Sequence, residues 1–406
     1  MTTQERSGFL ASLYIKNFRY MWLSLFFSMA GFQIQMTVRG ILVYDITDDA
    51  FLTGLVSAGF APSLLAFSMF GGVLGEKVEK RKLIQFAQGM NCLGSVVVGF
   101  LIFTEFIHWS HLLIISVTQG AMFAIQVPAR QSLIPDLVGK KLVTNAIGLN
   151  SMTMGVTLMI APAIGGYTYE FFGPLNSYMI VSILMVIGVG FTGFIPKFPP
   201  KIKTDNVSTL GGIMNGFKYL KKNNIIRIIW IHAVILALCT GPFRMLIPVF
   251  AKDVYLSSPG DVGNLMAAGG IGGILSSILI ASLSSETRRG IILIIIGIAT
   301  GIGLFMMATI NLFFIGIIGM IILGFSETGR WSLGQALMMS NADEEYRARV
   351  ISLLMMSWGL MPLSMLPMSW AFGYFGAEIT TLFTAVITLL FAISSLIWAR
   401  ALVKIK

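Results

Sequence analysis

The chain has 406 residues, of which 56% are hydrophobic and 11% are charged, and its formal net charge is +10 at neutral pH. Because soluble globular domains carry about 25% charged residues, this composition excludes an ordinary soluble protein. Apolar runs long enough to cross a hydrocarbon core of about 30 Å recur from end to end, so we predict an all-α membrane protein.

Twelve apolar runs between polar breaks predict twelve transmembrane helices, numbered here as spans 1 to 12. Their approximate bounds are 20–44, 51–75, 83–105, 110–134, 143–170, 174–195, 226–251, 260–283, 290–309, 312–338, 349–373 and 377–399. Residues 1–19 are polar and basic and lack a small-residue cleavage site, so they do not predict a cleavable signal peptide.

One connecting segment, KFPPKIKTDNVSTLGGIMNGFKYLKKNN, is much longer than the others and divides the spans six and six. We therefore predict an N-terminal six-helix bundle over 1–196, a cytoplasmic linker over 197–224 and a C-terminal six-helix bundle over 225–406. The second part of the linker has apolar residues at helical spacing, which predicts an amphipathic helix on the membrane surface. These residues are Leu210, Ile213, Met214, Phe217 and Leu220.

The loop charges predict the orientation. Lys and Arg concentrate in the two tails and in the loops on one side, whereas Lys252 lies on the other side with Asp45, Asp48 and Asp49. Basic loops face the cytoplasm, so both termini are predicted to be cytoplasmic, and the basic charge reflects contact with anionic lipids rather than with nucleic acid.

The sequence offers little support for enzymatic chemistry. The two cysteines, Cys92 and Cys239, lie in apolar spans of different halves, and the three histidines are scattered, so neither type forms a metal-ligand pattern. There is no phosphate-binding Gly-x-x-x-x-Gly-Lys loop and no nucleophile with a neighbouring base. We predict neither an enzyme nor a bound cofactor.

The two halves resemble each other in sequence. NFRYMWL (17–23) is similar to IIRIIWI (225–231), and ARQSL (129–133) is similar to GRWSL (329–333). Parallel repeats of this kind are typical of transporters in which two bundles rock around a central site.

Several motifs then resemble the major facilitator superfamily. GGVLGEKVEKRK (71–82), with Gly71, Gly72, Leu74 and Gly75, is similar to the family's loop signature Gly-x-Leu-x-Asp-Arg-x-Gly-Arg-Arg, although Glu79 replaces the second glycine. IAPAIGG (160–166) is similar to the Gly-Pro-x-x-Gly-Gly signature of its antiporter branches: Pro162, Gly165 and Gly166 match, and Ala161 replaces the first glycine. TQG (118–120) resembles the end of the signature Arg-x-x-Gln-Gly, but Ser116 occupies the arginine position.

Longer stretches, including PARQSLIPDLVGKKLVTNAIGLNS and YRARVISLL, are similar to the subfamily of enterobactin exporters and macrolide efflux proteins. The resemblance implies a monomeric transporter in a bacterial inner membrane that exports small organic molecules by alternating access, with proton influx as the driving force. It also implies an inner gate made of charged residues, for which the matching positions are Glu76, Lys77, Lys80, Arg81, Arg130, Glu286 and Arg330.

Glu327 is the one acid of the sequence that lies deep within a predicted span. Burial of a charge in a membrane costs several kcal/mol unless the charge is paired or faces water. Three interpretations remain open: Glu327 carries the coupling proton, it forms a structural pair with Arg330 one turn away, or it contacts a cationic substrate.

Arg39 and Arg244 occupy matching places toward the outer ends of spans 1 and 7. Both either face the central pathway, where they suit an anionic substrate or an outer gate, or extend to the surface or pair with a nearby acid. Further polar candidates for the pathway are Gln33, Gln126, Asn150 and Gln335. The anionic-substrate interpretation leaves open an importer or uniporter of an anionic metabolite, and a membrane receptor or scaffold that does not transport is a third alternative.

Overall fold

The computed structural model describes residues 10–67, 78–198, 218–283, 288–343, 346, 350, 353–354 and 360–399. These residues form helices and their connections, without a strand in the described ranges. The helices are α1 Lys16–Thr47, α2 Ala50–Ala58, α3 Lys80–Phe103, α4 Trp109–Val138, α5 Val143–Gly193, α6 Asn224–Met245, α7 Ile247–Tyr255, α8 Pro259–Ala281, α9 Arg289–Thr309, α10 Phe313–Asn341, α11 Met361–Phe375 and α12 Ala377–Trp398.

Ten of the described helical segments are long and apolar enough to cross a membrane. The difference from twelve has two sources. The 51-residue α5 covers predicted spans 5 and 6, and predicted span 11 lies only partly among the described residues, where it contains the 15-residue helix Met361–Phe375. The all-helical class is confirmed, whereas the number of membrane crossings and the location of the termini stay predictions.

α5 reverses direction at Gly173, where the backbone leaves the helical region (φ 77°, ψ 175°). A positive φ is unstrained for glycine, and the following Pro174 has a fixed φ that suits the first turn of a helix. The two arms of α5 therefore correspond to the two predicted spans on either side of this turn.

Span 7 is broken in a similar way into α6 and α7. The chain leaves the helical conformation at Leu246 (φ −92°, ψ 5°), between Pro242 inside α6 and Pro248 at the start of α7. Since proline removes an amide donor and crowds the preceding turn, the two prolines on either side explain the interruption.

Polar caps set several of the helix starts. Asp49 accepts hydrogen bonds from the amides of Phe51 and Leu52 at the start of α2, and Asn223 caps α6 in the same way. Each cap satisfies amides that have no partner within the helix, which stabilises a helix start by about 1 kcal/mol.

The buried apolar side chains form three clusters. The largest joins both halves of the chain, from Ile34 and Val56 to Phe250 and Met365. A second is built from residues between Phe18 and Ile195, and a third from residues between Tyr219 and Ala399. Among the described residues, each of these two clusters therefore belongs to a single half.

Two ends of the molecule are named here by the residues near them. The aspartate end contains Asp45 and Asp253, close to where α1 and α7 end. The terminus end is the opposite one, and it contains Lys16 and Trp398. The halves pack against each other toward the aspartate end.

Large apolar side chains cover the outside of the helices. Phe100, Phe171, Ile183, Phe383 and Ile397 are each more than half exposed. An exposed apolar surface of this extent fits contact with lipid rather than with water.

Part of the predicted linker lies outside the described residues, namely 199–217 with Leu210, Ile213, Met214 and Phe217 of the predicted amphipathic helix. Of the rest, residues 218–222 are helical, and Leu220 is buried in the apolar cluster of the C-terminal half.

Candidate functional site

An ion pair between Arg244 and Glu327 lies inside the C-terminal half. Nη1 of Arg244 donates to Oε2 of Glu327 at 3.0 Å, and this contact joins α6 to α10. Glu327 is the central residue of Phe313–Asn341, about 21 Å from either helix end at 1.5 Å per residue. Arg244 lies two residues before the break between α6 and α7. The pair therefore combines a mid-helix acid with an interrupted helix, a combination found at transporter sites.

The pair borders a pocket and is not sealed in the protein. The side chains of Arg244 and Glu327 are 27% and 37% exposed. The pocket is lined further by Thr240, Phe243, Gly269, Met320, Leu323 and Gly324. Because charges at this depth are too costly to face lipid, the exposed part of the pair must face a cavity that admits water or a ligand.

Arg330 has a different partner from the one that the helical spacing suggested. It is buried, and its Nη1 donates to the backbone carbonyl of Ala233 on α6 at 2.9 Å. The ion pair of Glu327 in the described structure is with Arg244 and not with Arg330, so the interpretation of an intrahelical Glu327–Arg330 pair does not fit this conformation.

Arg39 lies in the N-terminal half and is hydrogen-bonded to Gln119, which in turn is bonded to Gln35. It is 2% exposed, and its Nη1 donates to Oε1 of Gln119 at 2.7 Å, while Nε2 of Gln119 donates to Oε1 of Gln35 at 3.0 Å. Asp45 is bound by Tyr169 and Lys252, and the guanidinium of Arg39 is bound to Gln119 instead. Neither arginine of the predicted Arg39–Arg244 set therefore pairs with the acid nearest to it in the sequence.

The predicted gate residues lie toward the terminus end. Lys80 is held by Asp136 at 2.7 Å and by the carbonyl of Ser132 at 2.8 Å, and Arg81 donates to the carbonyl of Ile195 at 2.7 Å. Arg130 is buried on α4. Outside the described residues lie the gate charges Glu76, Lys77 and Glu286 and the loop-motif residues Gly71, Gly72, Leu74 and Gly75.

The motif resembling the antiporter signature lies where the two halves meet. Ala161, Pro162, Gly165 and Gly166 are buried in the first arm of α5. Gly165 lies against the backbone of Ile34 on α1, and Gly166 lies against the backbone of Pro259 and Gly263 on α8. Small residues at these positions allow close approach of α5 to helices of both halves.

The remaining polar candidates are not gathered at the Arg244–Glu327 pocket. Gln126 is buried on α4, and Asn150 is partly buried on α5. Gln33 and Gln335 are partly exposed on α1 and α10. The structure gives no contact of these four with Arg244 or Glu327.

A set of polar contacts between the halves was not predicted from the sequence. The Tyr44 hydroxyl donates to Asp253 at 2.6 Å, and Lys252 lies 3.4 Å from Asp45 and 3.5 Å from Asp48. Burial in a partly closed site raises the pKa of the Asp253 carboxyl, an effect that the hydrogen bond from Tyr44 opposes.

Glu170 on α5 adds to these contacts at the aspartate end. It accepts from the Ser258 hydroxyl at 2.7 Å and from the Gly260 amide at 2.8 Å at the start of α8, while Asn264 donates to the Tyr167 hydroxyl at 2.9 Å. One feature of the sequence indicated these contacts: Lys252 is a single basic residue on a predicted side of the membrane that carries several acids.

Known proteins resemble this chain along most of its length. The sequence profile described as Major Facilitator Superfamily matches residues 21–366 and, in an overlapping match, residues 245–405. A "Staphyloferrin A transporter" of Staphylococcus aureus (strain NCTC 8325 / PS 47) is 22% identical over 365 residues, 88% of this chain and 90% of the relative. An "Enterobactin exporter EntS" of Shigella boydii serotype 4 (strain Sb227) is 21% identical over 335 residues, 82% of this chain and 79% of the relative.

Solved structures agree on the fold. The nucleoside transporter NupG superimposes with a TM-score of 0.78 at 15% identity, covering 96% of this chain and 100% of its own. A bacterial homologue of the human lysosomal transporter Spinster, inward-facing and unoccupied, gives a TM-score of 0.70 at 15% identity and covers 95% and 98% of the two chains. The chain belongs to the Major Facilitator Superfamily and is a multi-pass membrane transport protein, not an enzyme.

Proposed function

We propose that the protein is a secondary active transporter that exports small organic molecules from the cytoplasm of a bacterium in exchange for protons, by alternating access. In this proposal residues 1–196 and 225–406 form two six-helix bundles joined by the linker 197–224, and both termini are cytoplasmic. The site lies between the bundles and is reached from one side of the membrane at a time. Export is supported by the relative that is named as an enterobactin exporter.

The distribution of contacts between the halves supports alternating access. Toward the aspartate end the halves share an apolar cluster and several polar contacts, among them Tyr44 with Asp253 and Glu170 with Ser258. Toward the terminus end, each described apolar cluster belongs to one half. If the termini are cytoplasmic, the aspartate end faces the outside, and these contacts close the described conformation on that side.

One observation carries the proton-coupled part of the proposal: Glu327, at the middle of α10, is paired with Arg244 on α6. A proton that binds Glu327 removes this attraction between the two helices, and loss of the proton restores it. If the substrate binds only while the Arg244–Glu327 pair is formed, a proton on Glu327 prevents substrate binding. Substrate and proton then bind in alternation, which is the condition for antiport.

Proton coupling through Glu327 can be tested in liposomes. The purified protein is reconstituted with a pH-sensitive dye inside, and outward or inward gradients of enterobactin and of a macrolide are imposed. We expect substrate-driven proton movement in the wild type and its loss in Glu327→Gln, because glutamine fills the same space without binding a proton.

The matched control for this experiment is Glu378→Gln. Glu378 is an exposed acid at the start of α12 that accepts a hydrogen bond from Asn311, far in the sequence from the pocket. This variant should move protons as the wild type does. Substrate transport without proton movement in the wild type, or equal proton movement in Glu327→Gln, would refute proton coupling through Glu327.

Import or uniport of an anionic metabolite is a second candidate, favoured by the Arg244 guanidinium in the pocket. Accumulation of labelled substrate in whole cells separates the two candidates. Expression of an exporter lowers the accumulated amount relative to cells without the protein, whereas expression of an importer raises it.

A further inference from the structure

The Arg244–Glu327 ion pair uses only part of its hydrogen-bonding capacity. The two side chains share one hydrogen bond, from Nη1 to Oε2 at 3.0 Å, and among the described residues neither has a second partner. A guanidinium has several N–H donors and a carboxylate has several acceptor positions, so most of these stay available. Both side chains line the pocket and are 27% and 37% exposed, so a ligand in the pocket can reach both charges.

The pocket carries one charge of each sign. Among the described residues that line it, Arg244 and Glu327 are the charged ones, and the others are Thr240, the apolar Phe243, Met320 and Leu323, and two glycines. Arg330 lies one turn beyond Glu327, but it is buried and its Nη1 is bound to the backbone carbonyl of Ala233. The polar part of the pocket is therefore a pair of opposite charges next to apolar side chains.

This arrangement discriminates between ligands by their charge. A cation that approaches Glu327 also meets the Arg244 guanidinium, and an anion that approaches Arg244 also meets Glu327. Either one adds an uncompensated charge to a site within the membrane, where the cost is high. A neutral ligand displaces water from both charged groups without replacing their ionic partners. A ligand with an ammonium and a carboxylate can pair with both side chains at once.

We propose that the pocket binds the charged end of a zwitterionic substrate, in which an ammonium and a carboxylate lie close together beside an apolar group. The carboxylate accepts from the N–H groups of Arg244 that the ion pair does not use, and the ammonium donates to Oε1 of Glu327. Opposite charges then alternate around the intact ion pair. The apolar group packs on Phe243, Met320 and Leu323.

Binding of a zwitterion here rests on the proposed function, because it makes the Arg244–Glu327 pocket the substrate site. It also fits exchange against protons. A proton on Glu327 removes the partner of the ammonium group and the attraction to Arg244 together, so the zwitterion and the proton compete for the same carboxylate.

Three ligands that share a phenyl group separate the two charge requirements. At neutral pH, L-phenylalanine carries both charges, 2-phenylethylamine carries only the ammonium, and 3-phenylpropanoate carries only the carboxylate. Binding is measured as the ligand-dependent rise in the midpoint of thermal unfolding of the purified protein in detergent. We expect a saturable rise with L-phenylalanine, with an apparent affinity about tenfold higher than that of the other two, because each of these pairs with only one side chain.

Single substitutions in the ion pair should change the preferred ligand. Glu327→Gln leaves Arg244 as the only charge, so 3-phenylpropanoate should bind best. Arg244→Gln leaves Glu327 as the only charge, so 2-phenylethylamine should bind best. Arg227→Gln and Glu378→Gln are the matched controls, because they remove exposed charges near the starts of α6 and α12 and should retain the preference for L-phenylalanine.

The ranking of the three ligands in the wild type needs no variant, so the test stays decisive if a variant fails to fold. Equal responses to the three ligands, or no response to L-phenylalanine, would overturn the zwitterion site. Strongest binding of 3-phenylpropanoate to the wild type would overturn it in favour of an anionic substrate, and an unchanged ranking in both Glu327→Gln and Arg244→Gln would also overturn it. Because no proton gradient is present, these results are independent of the liposome experiment, which alone decides proton coupling.

Discussion

Glu327 on α10 and Arg244 on α6 compensate each other's charge at 3.0 Å inside the C-terminal half. A carboxylate or guanidinium within an apolar run stands out because its burial is costly, which is why Glu327, Arg244 and Arg39 could be selected without a structure. Helical spacing then suggested Arg330 as the partner of Glu327. The structure instead joins Glu327 to Arg244, 83 residues away, because the path of α6 through the bundle is a tertiary feature that local spacing does not encode.

The Arg244–Glu327 ion pair should contribute to the stability of the protein. Arg244→Gln leaves Glu327 without its cation, so we expect a loss of about 1–2 kcal/mol in the free energy of unfolding, after allowance for partial exposure of the pair. The double variant Arg244→Gln/Glu327→Gln should be more stable than Arg244→Gln alone, because neither side chain is then charged. Thermal unfolding in detergent measures both. A double variant less stable than either single variant would contradict the ion pair.

At the scale of elements, apolar runs predicted where helices occur, but the positions at which helices are interrupted could be located only in the structure. The described helices extend beyond several predicted spans, as in Trp109–Val138 against 110–134, because a helix continues into the polar boundary where hydropathy falls. The turn at Gly173 and the break at Leu246 depend on single glycine and proline positions. Such residues are also common inside unbroken membrane helices, so the sequence indicates bending without fixing its place.

The helices α8 and α10 pack closely where glycines face the backbone of the neighbouring helix. A Cβ atom at Gly324 would meet the backbone of Gly269, and a Cβ at Gly272 would meet the backbone of Ile321. Gly324→Ala must therefore push the helices apart, and we expect destabilisation of about 1–3 kcal/mol and reduced transport.

Gly148→Ala is the matched control for this contact. Gly148 is also a helical glycine, but beyond its own helical turn and chain neighbours no atom lies within 4 Å of the place its Cβ would take. Alanine there should be neutral or stabilising by up to about 1 kcal/mol, because it restricts the unfolded chain. Thermal unfolding of the two variants side by side makes the comparison, and equal effects would show that steric contact is not what Gly324 avoids.

At the scale of the whole molecule, the repeat in the sequence predicted two similar halves but not which end would be closed. The conformations of a rocking transporter differ by only a few kcal/mol, so small terms decide which one is populated. In this conformation the aspartate end is joined by Tyr44 with Asp253 and by Lys252 with Asp45 and Asp48. These pairs connect the two halves, so they are formed or broken as the halves move.

The hydrogen bond between Tyr44 and Asp253 contributes to the balance between closed and open forms at the aspartate end. Tyr44→Phe removes the hydrogen bond to Asp253, which should raise the ratio of outward-open to closed molecules by about fivefold. Spin labels on cysteines introduced at Glu105 and Leu312, one in each half near this end, report the distance, with the native Cys92 and Cys239 replaced by alanine. We expect a larger long-distance population in Tyr44→Phe than in the wild type, and identical distance distributions would contradict a role of this hydrogen bond in closure.

The same labels measure a pH dependence whose sign follows from Asp253. This residue lies beyond predicted span 7, and burial raises the pKa of its carboxyl in the closed form above the ordinary value of 3.8. The closed form therefore binds the proton more tightly than the open form, in which the carboxyl is exposed. Closure is favoured at low pH, and this contribution is lost as the pH rises through the raised pKa. Asp253→Asn should remove this part of the pH dependence, and its persistence in this variant would contradict the assignment to Asp253.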